Sequence, residues 1–136
     1  MKKIDYNLLI LTVIITLSPI ILGIIFYNNL PINIPIHFDS NLNPDIFTNK
    51  IFVILFPILM SILQSVLCIV NDLIKNNNIR NTPLEKVFKF IIPTITILVS
   101  IIILSAGLGS YFEVEIVVLF IILIISIVIV YFWGKK

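Results

Sequence analysis

Four long apolar runs constrain this chain more than any other feature: residues 8–27, 51–70, 89–108 and 116–133. A helix of about 20 residues rises roughly 30 Å, the thickness of a bilayer's hydrocarbon core. No charged residue lies at the middle of any run. Only 12% of the residues are charged, against about 25% in an ordinary soluble domain. The reading is an all-α membrane protein, a single domain over residues 1–136 with four transmembrane helices, multi-pass in the cell membrane. The basic start and first run could form a secretory signal. The run is long, however, and no small-residue cleavage site follows it, so a retained helix is expected.

Charge distribution sets the expected topology. With both termini in the cytoplasm, the inner segments hold Lys2, Lys3, Lys75, Arg80, Lys86, Lys89, Lys135 and Lys136, and the outer segments hold only Lys50. That positive-inside bias agrees with an even number of spans. It places the loop over residues 28–50 outside the cell.

Each of the first three runs contains a proline, Pro19, Pro57 or Pro93, which removes one backbone hydrogen bond and predicts a kink. Thr12 and Thr16 share a face of the first helix. Ser61, Gln64, Ser65 and Cys68 fall at i, i+3, i+4 and i+7 of the second, which is one helical face. Small hydrogen-bonding residues on one face predict a helix-packing seam; a polar lining for a ligand is the other reading. Asp72, Glu85 and Lys86 are assigned to a second loop, 71–86. Within it, Thr82-Pro83-Leu84-Glu85 reads as a helix start: an N-cap threonine, a first-turn proline and a capping-box glutamate.

The first loop, Leu30 to Lys50, reads LPINIPIHFDSNLNPDIFTNK. It holds the chain's single histidine and three of its seven prolines. Pro31 and Pro35 bias their preceding residues to extended backbone. Ile32, Ile34, Ile36 and Phe38 alternate with Asn33, Pro35 and His37, predicting a strand-like segment whose apolar edge lies on the helix ends and whose His37 faces water or a partner. Asn41, Asn43, Pro44 and Asp45 read as a turn, and Thr48 or Asn49 as the cap of the next helix. Loops this long in small domains are usually functional or disordered; a lid that only seals the bundle is the plain alternative.

Several chemistries find no support. Without an ionisable residue at mid-span there is no mark of a proton relay. Ser40, His37 and Asp45 form no nucleophile elbow, so no enzyme is expected. His37, Asp39 and Asp45 match no established metal site in spacing, and no cofactor is expected. The net charge of +2 and the lack of a basic-aromatic stripe argue against nucleic acid. Cys68, the only cysteine, reads as a small buried hydrophobe.

The loop, followed directly by an apolar helix, resembles the bacterial membrane domain of unknown function at the N-terminus of SdpI-type toxin-immunity proteins. The matching positions are Leu30, Pro31, Pro35, His37, Phe38, Asp39, Pro44, Asp45 and Lys50. Leu42 stands where that family usually has glycine. The resemblance covers about residues 8–70. The further polar motif of the fuller members is missing from the second half of the chain. For those members the resemblance implies protection from a secreted toxic peptide and membrane sequestration of a repressor once toxin is bound. The expected function is therefore an integral membrane binding protein of the immunity or signalling type. It would sit among membrane lipids and recognise a peptide toxin, another membrane protein or an envelope component through Pro31, Pro35, His37, Phe38, Asp39, Pro44, Asp45 and Lys50. The alternative is a small accessory subunit of a transporter or exporter, docked on a larger partner through Ser61, Gln64, Ser65 and Cys68.

Overall fold

The structure, a computed structural model, describes residues 4–41, 43–74 and 83–109, with residues 122, 123, 125–127 and 129 as further helical positions. Among the described residues three helical segments are long and apolar enough to cross a membrane: Tyr6–Asn29, Phe52–Ile74 and Glu85–Gly107. The described chain is mostly helical and fits a multi-pass membrane protein. Most of the fourth run, the connection at 110–115, the turn at 76–78, Thr82, Leu42, and the belt residues Tyr131 and Trp133 lie outside the described residues.

Proline shapes each span. Helix α1 (Tyr6–Leu17) gives way at Ser18 to α2 (Pro19–Phe26). Pro19 has no N–H to give to the Ile15 carbonyl four residues back. The Ser18 hydroxyl donates to that oxygen instead, at 2.7 Å. Helix α3 (Phe52–Ile74) contains Pro57, and α4 (Pro83–Gly107) contains Pro93. All three prolines are buried.

Helices α1, α3 and α4 pack pairwise, and α2 continues onto α3 and α4. A Cβ on Gly23 would sit 3.2 Å from Val53 Cγ2, so glycine permits the close approach of α2 and α3. A 3-10 turn at Tyr27–Asn29 leads from α2 into an antiparallel hairpin, β1 (Asn33–Phe38) and β2 (Pro44–Asn49). Strand β1 packs on α4. The all-α expectation is corrected at one place: the strand-like segment expected in the motif loop is β1, and it pairs with a second strand, β2, as a two-stranded sheet.

Two further corrections follow. Residues 71–74 are not loop, because α3 runs on to Ile74 and buries Asp72. At the other side of that loop the helix start expected at Pro83 is where α4 begins, with Glu85 in its first turn and Lys86 following. The apolar edge of the loop is also not the simple alternation expected. Ile34 is fully buried and Pro35 is buried, while Ile32 is 71% exposed. Ile32 lies before β1 begins, and beyond Pro35 paired register shifts make Ile36 an extra residue on β1 and Asp45 on β2, a bulge that re-aims the side chains after it.

Candidate functional site

The hairpin's tip is built by Asp39. Its carboxylate Oδ1 accepts the backbone N–H of Asn41 at 2.8 Å and of Asn43 at 2.9 Å. Its own N–H donates to the Asn43 carbonyl. The aspartate's two acceptor bonds form an Asx-type turn; of the residues expected to turn, Asn41 and Asn43 do so, while Pro44 and Asp45 belong to β2. The hairpin's base is built by Asn49 and Lys50. Asn49 Oδ1 accepts the Ile51 N–H at 3.0 Å. Lys50 Nζ donates to the Tyr27 carbonyl at 3.2 Å and lies 4.4 Å from the centre of the Tyr27 ring, a cation–π contact. Lys50 therefore ties the start of α3 to the end of α2.

Leu30 and Ile34 seat the hairpin on α4. They are buried with Val53, Ile103 and Leu104, and Phe26, Tyr27 and Phe52 pack around them. A Cβ at Gly107 would come within 2.7 Å of Leu30 Cδ2 and 3.1 Å of Ile34 Cγ2. Only glycine leaves room for this seat without displacement.

His37 and Asp45 remain. The Asp45 bulge sets its carboxylate beside the imidazole across the strands: His37 Nδ1 and Asp45 Oδ1 are 2.6 Å apart. Both side chains are solvent-accessible, at 59% and 43%. A carboxylate bonded to Nδ1 orients the ring and leaves Nε2 at the surface, able to donate or accept according to protonation. Ile46 and Phe47 beside them are about half exposed. Asp39 does not join this pair, because its Oδ1 is taken by the turn. Among the described residues no group of three His, Cys, Asp or Glu side chains is placed to hold a metal ion. Pro31 is exposed, Phe38 and Pro44 are half-buried, and Pro35 is buried.

The interior beneath the hairpin is polar. Thr12, Thr16, Ser61, Gln64 and Thr96 are all buried. Gln64 Nε2 donates to the Lys89 carbonyl at 2.7 Å. That carbonyl is the one Pro93 leaves without its helical partner, so α3 supplies the hydrogen bond that α4 lacks. Gln64 also donates to Cys68 Sγ at 3.1 Å, and Cys68 lies 4.0 Å from Thr12 Oγ1. Ser65 turns back on its own helix, donating to the Ser61 carbonyl, and is only half-buried.

At the end opposite the hairpin lies a pair that the spacing did not announce. Lys89 Nζ meets Asp72 Oδ1 at 2.5 Å and Glu85 Oε1 at 3.6 Å. The Asp72 and Lys89 side chains are 4% and 5% exposed. Asp72 Oδ2 accepts the Asp5 N–H at 3.1 Å, while Asp5 Oδ1 caps α1 through the Leu8 N–H. One ion pair thus fastens α1, α3 and α4. The available signal was the stripe itself: Gln64, Cys68 and Asp72 continue at steps of four residues.

No curated protein and no solved structure matches the chain. Residues 14–61, which run from α1 through the hairpin into α3, match the family model of a domain of unknown function, DUF1648.

Proposed function

We propose that this chain is a multi-pass protein of the cell membrane whose hairpin faces outward and binds a peptide or envelope component, in the manner of the toxin-immunity and signalling proteins its loop resembles. In this reading it has four spans and both termini in the cytoplasm, as its basic residues suggest. The observation that carries the reading is the exposed His37–Asp45 pair. Asp39, Lys50, Leu30 and Pro35 are engaged in building or seating the hairpin. The exposed pair seats nothing, and exposed ion pairs contribute only about 0–1 kcal/mol to stability. Polar residues held in fixed geometry on a rigidly seated loop are how a surface recognises a partner.

The accessory-subunit reading has less support. Of its docking residues Ser61, Gln64, Ser65 and Cys68, Gln64 and Cys68 are engaged inside the chain with α4 and α1, and Ser61 and Ser65 donate to carbonyls of their own helix. The test is survival of a sensitive bacterium expressing the chain, challenged with membrane-active bacterial peptides. Wild type is compared with His37→Ala and Asp45→Ala at matched membrane levels. Protection that either substitution abolishes is the expected result. No protection by correctly inserted wild type, against any peptide, overturns the immunity reading.

A further inference from the structure

The two edges of the hairpin are not equivalent, and the register shows why. Lys50 N–H donates to the Ile32 carbonyl at 2.8 Å, so residues 32 and 50 form a hydrogen-bonded pair. In an antiparallel ladder the bonded pairs recur every second residue. Ile34↔Thr48 is therefore a bonded pair, and Asn33↔Asn49 and Pro35↔Phe47 are the intervening pairs. Residues of an intervening pair turn their N–H and C=O away from the partner strand. On β1 the outward positions are Asn33 and Pro35; Pro35 has no N–H, and β1 is the strand packed on α4. A proline on an edge and cover by a helix are two of the ways proteins close a strand edge. Beyond Pro44, its first residue, strand β2 has neither device among the described residues. Phe47 and Asn49 direct two donors and two acceptors outward, residues 45–47 and 49 are exposed, and no proline follows Pro44 before α3. The open stretch ends at Pro44 on one side and at the turn into α3 on the other.

We propose that the outer edge of β2 is the docking edge, and that its occupant is an extended segment of a polypeptide partner that adds to the hairpin as a third strand. This rests on the reading of the hairpin as a peptide-binding element and gives that element its mode of recognition. The ligand chemistry follows from the groups displayed. Alternating backbone donors and acceptors at strand spacing are complementary to another extended backbone and to little else. Main-chain bonds to Phe47 and Asn49 supply affinity. The half-exposed Phe47 and Ile46 side chains, with His37–Asp45 at one end of the edge, supply side-chain selectivity.

The test uses the full chain in lipid nanodiscs and a random-sequence pool of synthetic octapeptides as the probe. Captured peptides are sequenced by mass spectrometry, and the tightest binder is resynthesised with single N-methyl groups along its backbone. Strand addition predicts period-two sensitivity. N-methylation at alternate residues weakens binding by about two- to tenfold each, the value of one net hydrogen bond, and at the residues between is tolerated. Phe47→Pro, which removes an outward N–H while leaving the β1 ladder intact, is expected to weaken binding by a similar factor; Phe47→Ala keeps the period-two pattern. Capture without that pattern overturns the edge proposal alone, and leaves the hairpin reading standing if His37→Ala abolishes capture. Absence of any capture overturns the edge proposal, and peptide challenge then decides the hairpin reading separately. A symmetrical disulfide dimer through Phe47→Cys, without peptide capture, assigns the edge to a second copy and also overturns the proposal.

Discussion

At the hairpin end of the bundle the enclosed side chains are Leu30, Ile34, Val53, Ile103 and Leu104; at the opposite end they are Asp72 and Lys89. The first end is closed by apolar packing against a glycine, and its charged residues stand outside on the hairpin. The second has its charges inside and fastens three helices with them. In a membrane, apolar side chains gain little by leaving lipid for a neighbouring helix, so packing and interhelical polar contacts must hold spans together. The polar end therefore sets the helix arrangement. The apolar end sets where the hairpin stands, and leaves His37 and Asp45 on its surface outside that packing.

The comparison can be broken most severely at the ion pair. Lys89→Ala leaves Asp72 buried with an unpaired carboxylate, and Asp72→Ala leaves Lys89 facing Glu85 alone. Breaking a buried pair by removing one partner costs about 3–5 kcal/mol. Either variant should show that loss in reversible unfolding from lipid bicelles. The double replacement Asp72→Leu/Lys89→Met removes both charges and should recover most of it, because paired apolar replacements of buried ion pairs are often neutral. A double variant as unstable as the singles would mean that the pair's geometry, not its charge balance, holds the bundle.

A sharper probe is Gln64→Leu. It deprives the Lys89 carbonyl of the donor that stands in for Pro93's missing N–H. An unsatisfied buried acceptor costs about 1–3 kcal/mol. Adding Pro93→Ala restores an N–H four residues on, so Gln64→Leu/Pro93→Ala should regain stability relative to Gln64→Leu. If Pro93→Ala gives the same change in both backgrounds, Gln64 and Pro93 are not coupled.

How legible was this in the sequence? The long apolar segments, the helix break at Pro19 and the helix start at Pro83 follow from length, residue type and capping rules, which are local. The inward stripe Ser61, Gln64 and Cys68 followed from helical periodicity, and its extension to Asp72 was lost to a loop boundary drawn at the first polar residues after an apolar run. A charged residue inside a helix end is readable only with its partner, and Lys89 lies 17 residues away on another helix. The hairpin was half legible. Alternation suggested β1, but the two bulges that move Ile36 outward and bring Asp45 to His37 depend on cross-strand register, which no single strand encodes. Asp39 was grouped with His37 and Asp45 by proximity in sequence, and its carboxylate builds the turn.

A smaller effect is expected at Gly107, which tests the apolar end. Gly107→Ala places a methyl group against Leu30 Cδ2, the far end of a buried but rotatable side chain, and close to Ile34. Overpacking of this kind costs about 1–3 kcal/mol. The low end applies here, because Leu30 can shift and alanine is the better helix former. Shortening the obstacle in Gly107→Ala/Leu30→Ala should remove the clash, so the double variant should be more stable than the sum of the singles predicts. Hydrogen exchange at the β1 amides should rise in Gly107→Ala while exchange near Asp72 stays unchanged, if the two ends are held independently.

The smallest change in stability is expected at the pair that carries the proposed function. His37→Ala and Asp45→Ala remove a hydrogen bond between groups that are about half exposed. Exposed pairs contribute about 0–1 kcal/mol, so each variant should unfold within about 1 kcal/mol of wild type. The hairpin should persist, since its tip depends on Asp39 and its base on Asn49 and Lys50. Asp45→Asn is the finer version: it keeps a hydrogen-bonding oxygen next to Nδ1 but removes the carboxylate charge. If recognition needs the imidazole oriented, Asp45→Asn should retain partial peptide protection while His37→Ala has none. If recognition needs the carboxylate itself, both should fail alike. A loss of stability beyond about 2 kcal/mol in either alanine variant would show that the pair does structural work, and the contrast between a seated base and a free binding surface would no longer hold.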